Sequence, residues 1–218
     1  MEPIYISLGS QCTTPTFFDR LQLKKKSLPF DWMFSTPQFV FTILKLLLID
    51  TMEIRDIIDT HFFVCDQRAY WTEKEPAHYL NATDGDVLIN SIYNVAFPHN
   101  AVSDREKYIR RLERFKQYIL DEHNFIYFVY ISEPRPNYFV VNNVEPIQEI
   151  YEYMEKIHSI MKEIRTNYKI LIFDTNRPVG VKPSDNSYIS HYDLEQKNNW
   201  TDLLPELVVK YGHLLRNV

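Results

Sequence analysis

Apolar residues along the chain fall into short extended runs that alternate with longer segments of helical periodicity. Residues 4–8 alternate between apolar and polar side chains and lead into a glycine, which is typical of a strand that ends in a tight turn. Residues 125–131 and 169–173 are continuous apolar runs, as expected for strands buried on both faces. Residues 87–97 form another extended apolar run, and residues 188–194 have the length of a short edge strand.

Six segments have the residue spacing of helices. Thr13 or Thr14 is a candidate cap for the first of them, with Pro15 in its first turn. Ser103 and Glu106 form a capping box for a later helix. The predicted helices cover residues 13–23, 35–48, 52–60, 103–120, 144–165 and 200–215, and two weaker strands are predicted at 62–65 and 69–72.

Strands separated by amphipathic helices predict an α/β fold. We expect a single three-layer domain over residues 1–218, with a mostly parallel sheet in a Rossmann-like or flavodoxin-like layout. In such a sheet the carboxyl ends of the strands meet at one edge, where ligands and reactive groups collect. The polar residues expected at this edge follow the predicted strands and are Ser10, Cys12, His99, Glu133, Arg135 and Asp174.

The composition is ordinary for a globular protein and argues against several classes of function. Lys+Arg 24 against Asp+Glu 29 gives a formal charge of -5, so the chain lacks the basic surface of a nucleic-acid-binding protein. The longest apolar run, residues 39–49, is much shorter than the ~20 residues of a membrane span. The N-terminus carries no basic signal region. We therefore expect a soluble cytoplasmic protein without a nucleic-acid partner or a membrane span.

Cys12 is the first candidate for chemistry. It follows the first strand and its glycine turn, and it begins the first predicted helix, where the helix dipole favours a thiolate. Backbone amides from Gln11 to Thr13 could hold an oxyanion; the alternative is a small cysteine that only packs the turn. Cys12 and Cys65 lack metal-type spacing, so we predict neither a disulfide nor a metal site, and no cofactor.

His99 is the predicted general base. It follows the extended run at 87–97 through Pro98, which restricts the backbone. An imidazole has the near-neutral pKa that activation of a thiol requires. His191 is the competing candidate. The other histidines occupy helix or linker contexts without converging polar residues, and they are His61, His78, His123, His158 and His213.

Three residues are candidates for orienting the base: Asp31, Asp174 and Asn100. Asp31 is flanked by Phe30 and Trp32, so we expect its carboxylate to be partly desolvated and to require a partner. The alternative is an aspartate that caps a turn. Asp174 ends a buried strand, where acids often hold ligands or catalytic histidines.

Two other constellations stay open. Ser10 with His191 and Asp193 would suit a serine hydrolase, although the chain lacks the full Gly-x-Ser-x-Gly elbow. Residues 84–86 (Asp-Gly-Asp) could hold a metal and a nucleotide, with arginines from helix 103–120 on the phosphates. For residues 84–86 the simpler explanation is a tight turn. For two sets of basic residues the simpler explanation is a solvated surface, and these are Lys24, Lys25 and Lys26, and Arg105, Arg110, Arg111 and Arg114.

Three motifs carry a resemblance to a known family: residues 6–12 (ISLGSQC), 27–32 (SLPFDW) and 97–99 (FPH). Together they resemble a family of unknown function labelled "putative papain-like cysteine peptidase", which occurs in bacteria and large DNA viruses. The label implies a cysteine nucleophile and a histidine base, which map onto Cys12 and His99. Where the family has an acid after this histidine, the chain has Asn100.

The order of the elements differs from that of papain. A papain-like fold carries its nucleophile on a long helix and its base in a β-rich half, whereas this sequence predicts a thiol after the first strand of an α/β sheet. We therefore expect a layout that is not a true papain fold. The same sheet-edge position is used by hydrolases and by nucleotide-dependent transferases.

The leading hypothesis is a thiol-dependent hydrolase or acyl transferase acting on a small-molecule, glycan or peptide substrate, in the host cytoplasm if the chain is viral. The alternative is a glycosyltransferase-like enzyme that binds a sugar nucleotide, with Asp31 or His99 as base; the third hypothesis is a non-catalytic binding module. The expected catalytic residues are Cys12, His99, Asp31 and Asp174, and the expected substrate-binding residues are Gly9, Ser10, Gln11, Trp32, Asn100, Arg135 and His191.

Overall fold

The computed structural model describes residues 3–9, 12–62, 67–70, 86–90, 92–93, 95–97, 105–132, 147–175, 186–195 and 200–216. The strands are β1 (Pro3–Ser7), β2 (Gln67–Tyr70), β3 (Asp86–Asn90), β4 (Val95–Phe97), β5 (Phe125–Ser132), β6 (Tyr168–Asp174) and β7 (Ile189–Asp193). The helices are α1 (Thr13–Arg20), α2 (Pro37–Leu48), α3 (Ile54–Ile57), α4 (Arg105–Leu120), α5 (Ile147–Ile164), α6 (Trp200–Glu206) and α7 (Gly212–Arg216), and π-helical turns at Ile58–Phe62 and Leu207–Tyr211 follow α3 and α6.

The main sheet contains four parallel strands in the order β1-β5-β6-β7. β5 and β6 are the inner strands and bury nearly every residue, which agrees with their continuous apolar sequences. Helices cover both faces of this sheet, so the domain has three layers. The predicted α/β class is confirmed.

Each face of the sheet has its own apolar core because side chains alternate along a strand. Ile4 and Ile6 of β1 belong to the core that includes residues of α2, α4 and α5. Tyr5, between them, belongs to the opposite core with Phe17 and Phe18 of α1. The helix after β1 and the next described helix after β5 therefore lie on opposite faces. Helices that follow adjacent parallel strands on opposite faces are typical of a crevice at the carboxyl ends of those strands.

A second sheet of three antiparallel strands, β2-β3-β4, corrects one prediction. The run at 87–97 is not a single strand but two strands that pair as a hairpin. The backbone N–H of Ile92 donates to Oδ1 of Asn90 over 3.0 Å, and this local bond supports reversal of the chain. The predicted strand at 62–65 is wrong at Phe62, which ends a π-helical turn, and the rest of it lies outside the described residues.

The first helix is shorter than predicted and is capped differently. Cys12 is its N-cap, so Thr13 and Thr14 lie inside the helix. The helix ends at Arg20 because Gln22 adopts a left-handed conformation (φ 59°), which directs the next backbone N–H groups back to the carbonyls of the last turn. For α2 the prediction is confirmed, with the Thr36 side chain capping Phe39 N–H.

Within the described segments, no helix is both long enough and apolar enough to cross a membrane.

Candidate active site

The turn after β1 is fixed by three hydroxyl groups. Gly9 has φ 103°, a conformation that favours glycine. Its N–H donates to Ser7 Oγ (3.2 Å), and its carbonyl accepts from Thr14 Oγ1 (2.7 Å). The Ser35 hydroxyl donates to the carbonyl of Leu8 over 3.1 Å. The end of β1 is thereby attached to the helix that follows it and to the more distant segment that contains Ser35.

Cys12 lies at the N-terminus of α1, beside the carboxyl end of the parallel sheet. It is half-buried, it is not in a disulfide, and its side chain does not cap the helix. Its carbonyl accepts from both the N–H (3.0 Å) and the hydroxyl (2.6 Å) of Thr16, which fixes the backbone that carries the thiol. The dipole of α1 favours a thiolate at this position.

Ser35 and Thr36 connect the turn before Cys12 to the hairpin of the second sheet. Ser35 contacts the end of β1, as described above, and the adjacent Thr36 hydroxyl donates to the Tyr93 carbonyl over 3.0 Å. The Tyr93 hydroxyl lies 2.7 Å from His61 Nδ1. Strand β4 begins two residues after Tyr93 and leads in sequence to His99.

Asp31 is buried, with 2% of its surface exposed, and has two partners. Its Oδ2 accepts from the backbone N–H of Leu28 (2.9 Å) and lies 3.4 Å from Lys24 Nζ. Burial raises the pKa of Asp31, while the charge of Lys24 and the Leu28 hydrogen bond oppose that rise. The predicted desolvation is confirmed. The predicted solvation of Lys24 is wrong, because only 10% of its side chain is exposed.

The segment around Asp31 also packs against basic residues of α4. The Lys24 ammonium lies 4.4 Å from the centre of the Trp32 ring, and Trp32 has a φ of 65°. Arg114 donates to the Ser27 carbonyl over 2.6 Å. Arg111 is 8% exposed, so the predicted solvated arginine face is wrong for this residue.

Asp174 ends β6 at the carboxyl edge of the sheet and is buried. The Tyr151 hydroxyl of α5 donates to Asp174 Oδ2 over 2.5 Å. The ring of His191, on β7, stacks on the ring of Tyr151 with 5.1 Å between centroids. In the sequence, Tyr151 falls at the helical spacing of the apolar residues of α5, and a tyrosine hydroxyl at such a buried position requires a polar partner.

The strand order separates His191 from the turn after β1 that leads to Cys12. β7 is three positions from β1, which corresponds to about 14 Å at the usual strand spacing. A direct contact between His191 and the turn after β1 would have to span that width.

Six predicted site residues lie outside the described residues, so the pairings that use them stay predictions. They are Ser10, Gln11, His99, Asn100, Glu133 and Arg135.

The family model described as "Putative papain-like cysteine peptidase (DUF1796)" matches residues 3–176, about four fifths of the chain. This chain belongs to that family. No curated protein and no solved structure matches it. The match spans all three motifs of the predicted resemblance and includes the elements that carry Cys12, Asp31 and Asp174.

Two histidines of this family member that were predicted to lack polar neighbours have them. His158 Nδ1 lies 2.7 Å from the Tyr168 hydroxyl, and His61 Nδ1 contacts the Tyr93 hydroxyl. His158 is buried, and that burial lowers the pKa of its imidazole. Of the remaining three, His123 and His213 are exposed, and His78 lies outside the described residues.

His158 is expected to make the fold sensitive to acid. Its pKa in the folded state lies below the ordinary imidazole value of about 6.5, so the unfolded chain takes up a proton more readily. Its contribution to stability is present above pH 6.5 and is lost as the pH falls towards the folded-state pKa. Urea unfolding between pH 7.5 and 5 should show this decline, and it should be smaller in His158→Gln. The same change at exposed His123 should leave the slope unaltered, and an unaltered slope in both variants would contradict the assignment.

No group of three or more His, Cys, Asp or Glu side chains suited to a metal ion occurs among the described residues. Residues 84 and 85 of the Asp-Gly-Asp segment lie outside them.

Proposed function

We propose that this protein is a thiol-dependent hydrolase or acyl transferase with Cys12 as its nucleophile. The observation that carries the proposal is the position of Cys12: it begins α1 directly after β1 and its glycine turn, at the carboxyl edge of a parallel sheet. Strand ends at this edge are the usual location of reactive groups in open α/β sheets. Membership of a family described as cysteine peptidase-like supports the same choice.

His99 is the proposed base. The support is the pair of adjacent residues Ser35 and Thr36: the first contacts the turn that precedes Cys12, and the second contacts Tyr93, four residues before the end of β4. One short segment therefore holds both the thiol-bearing turn and the hairpin whose sequence continues to His99. Because His99 follows the end of β4 by only two residues, we expect its imidazole to lie near the Cys12 thiol.

The proposed reaction begins with transfer of the Cys12 proton to the imidazole of His99. The thiolate attacks the substrate carbonyl carbon, and backbone amides around Gln11 stabilise the resulting oxyanion. Collapse of this intermediate breaks the bond to the leaving group, which takes the proton back from His99, and leaves a thioester on Cys12. Water completes hydrolysis, or a second nucleophile completes acyl transfer, with His99 again accepting and returning the proton.

Asp174 is the better of the two candidate acids for orienting the base. It ends a strand at the carboxyl edge of the sheet, and its Oδ2 is held by Tyr151. Asp31 is already engaged by Lys24 and by a backbone N–H of its own segment. We assign Asp31 to maintaining the 27–32 motif and Asp174 to the imidazole. Small molecules, glycans and peptides with a reactive carbonyl are the substrate classes that this chemistry can serve.

The direct test is labelling with a thiol-reactive acyl probe followed by mass spectrometry. We expect modification of Cys12 at neutral pH, complete loss of that modification in Cys12→Ala, and strongly slowed modification in His99→Ala. Cys65→Ala is the matched control because it removes the other cysteine and should leave labelling unchanged. Labelling that persists at full rate in Cys12→Ala would exclude Cys12 as the nucleophile. Unchanged labelling in His99→Ala would exclude only the base.

A further inference from the structure

Arg111 is a buried cation whose environment is unusual. Only 8% of its surface is exposed, and its guanidinium carbon lies 5.2 Å from the centre of the Tyr108 ring. Among the residues that the structure describes, none makes a hydrogen bond or an ion pair with this guanidinium. A guanidinium carries five N–H donors in a fixed planar arrangement. Most of this group is removed from water without an acceptor among the described residues, which is costly unless solvent or a ligand supplies one.

The surrounding charges do not supply that acceptor. Asp31 is a buried carboxylate close enough to Arg111 for the charge of Arg111 to oppose the rise in its pKa that burial causes. However, Oδ2 of Asp31 already accepts from Leu28 and lies 3.4 Å from Lys24. Arg114, on the same helix, donates to a backbone carbonyl. The described part of this cluster therefore holds three cationic side chains against one buried carboxylate and the half-exposed Asp19, whose Oδ2 lies 4.0 Å from Lys24 Nζ.

Trp32 provides an aromatic wall beside the cluster. A tryptophan with φ 65° is a backbone outlier, and such conformations persist only where the surrounding structure enforces them. Its ring is half-buried and lies under the Lys24 ammonium. The strained residue thus borders the basic cluster with a partly accessible ring.

We propose that Arg111, together with Lys24 and Trp32, forms a binding site for an anionic group, either a carboxylate or a phosphate of a ligand. A planar guanidinium binds both anions in a bidentate manner, and the Lys24 ammonium adds a second positive charge. The ring of Trp32 would pack against the adjoining part of the ligand. This site goes beyond the proposed thiol chemistry and does not depend on Cys12.

The test measures binding of two probes, inorganic phosphate and succinate, by isothermal titration calorimetry at low ionic strength, with sodium chloride as the ionic-strength control. We expect saturable binding of at least one probe by the full chain and roughly tenfold or greater weakening in Arg111→Gln. Arg110→Gln is the matched control, because Arg110 is exposed on the same helix and its loss should not change the affinity. Asp31→Asn should tighten binding, because it removes the competing carboxylate.

The outcomes test whether the site exists and which type of anionic group it binds. Binding of phosphate alone indicates a phosphorylated ligand, and binding of succinate alone indicates a carboxylate ligand. No saturable binding of either probe, or equal weakening in Arg110→Gln and Arg111→Gln, would overturn the site. Circular dichroism checks that Arg111→Gln is folded. If it is not, Arg111→Lys replaces it: this variant keeps the charge without the bidentate geometry and should still bind the probe several-fold more weakly, and unchanged affinity would overturn the site.

Discussion

Gly9→Ala is expected to destabilise the fold by about 3 kcal/mol or more. A methyl group at this position would lie 2.0 Å from Ser35 Oγ and 3.3 Å from the Ser35 carbonyl oxygen. The backbone at φ 103° is also a conformation that alanine rarely adopts. Steric overlap and backbone strain therefore add at one residue. Urea unfolding monitored by circular dichroism would measure the loss.

A double-mutant cycle with Ser35→Ala separates these two effects. Removing the hydroxyl should relieve the closest overlap, so the double variant should be more stable than the sum of the single changes predicts. The loss in free energy of unfolding that remains in the double variant measures the backbone strain. Gly212→Ala is the matched control: Gly212 begins α7, the nearest atom to its added methyl would be the flexible end of Leu21 at 3.0 Å, and alanine favours helix. Equal losses at Gly9 and Gly212 would refute this explanation.

The main sheet could be predicted because its strands have simple burial patterns. β5 and β6 are buried on both faces, so their sequences are continuously apolar and cannot be confused with surface segments. The hairpin of β3 and β4 was missed for the opposite reason. A bond from Ile92 to Asn90 supports its reversal, and the sequence there has no glycine or proline that would mark a turn.

The candidate site was predictable where local sequence determines the environment. Asp31 lies between two large aromatic residues, and it is buried and partnered as that position predicts. Arg111 could not be found in this way. A charged residue on an amphipathic helix is usually solvated, and the burial of Arg111 arises only in the tertiary structure. The contact of Tyr151 with Asp174 likewise joins two residues that are 23 positions apart in the sequence.

The two N-terminal family motifs are linked by a contact that the sequence does not reveal. Ser35 packs against Gly9, so the chain segment that follows the 27–32 motif rests directly on the turn that precedes Cys12. Part of the pattern shared by this family can therefore reflect packing around that turn and not catalysis alone. Labelling of Cys12 and unfolding of Gly9→Ala test these two contributions independently.

Arg165→Met is expected to destabilise the fold by about 3 kcal/mol or more, because its guanidinium binds four acceptors in the interior. Arg165 is 5% exposed and donates to the carbonyls of Tyr118 (3.1 Å) and Ile119 (2.8 Å) at the end of α4. It also donates to the carbonyl of Asn124 and, over 3.0 Å, to Asn167 Oδ1. Methionine preserves the apolar stem of the side chain but leaves these acceptors without their donor.

A control variant and a conservative variant show whether Arg165 stabilises the fold through its hydrogen-bond geometry or through its charge. Lys162→Met removes an exposed cation from the end of α5 and should change the free energy of unfolding by no more than about 0.5 kcal/mol. Arg165→Lys keeps the charge, but one ammonium cannot reach acceptors arranged around a planar group, so most of the loss should remain. In Arg165→Met and Arg165→Lys, amide hydrogen exchange should accelerate most in the last turn of α4, whose carbonyls Arg165 binds. Full stability in Arg165→Lys would show that charge alone suffices, and the hydrogen-bonding role assigned to Arg165 would be wrong.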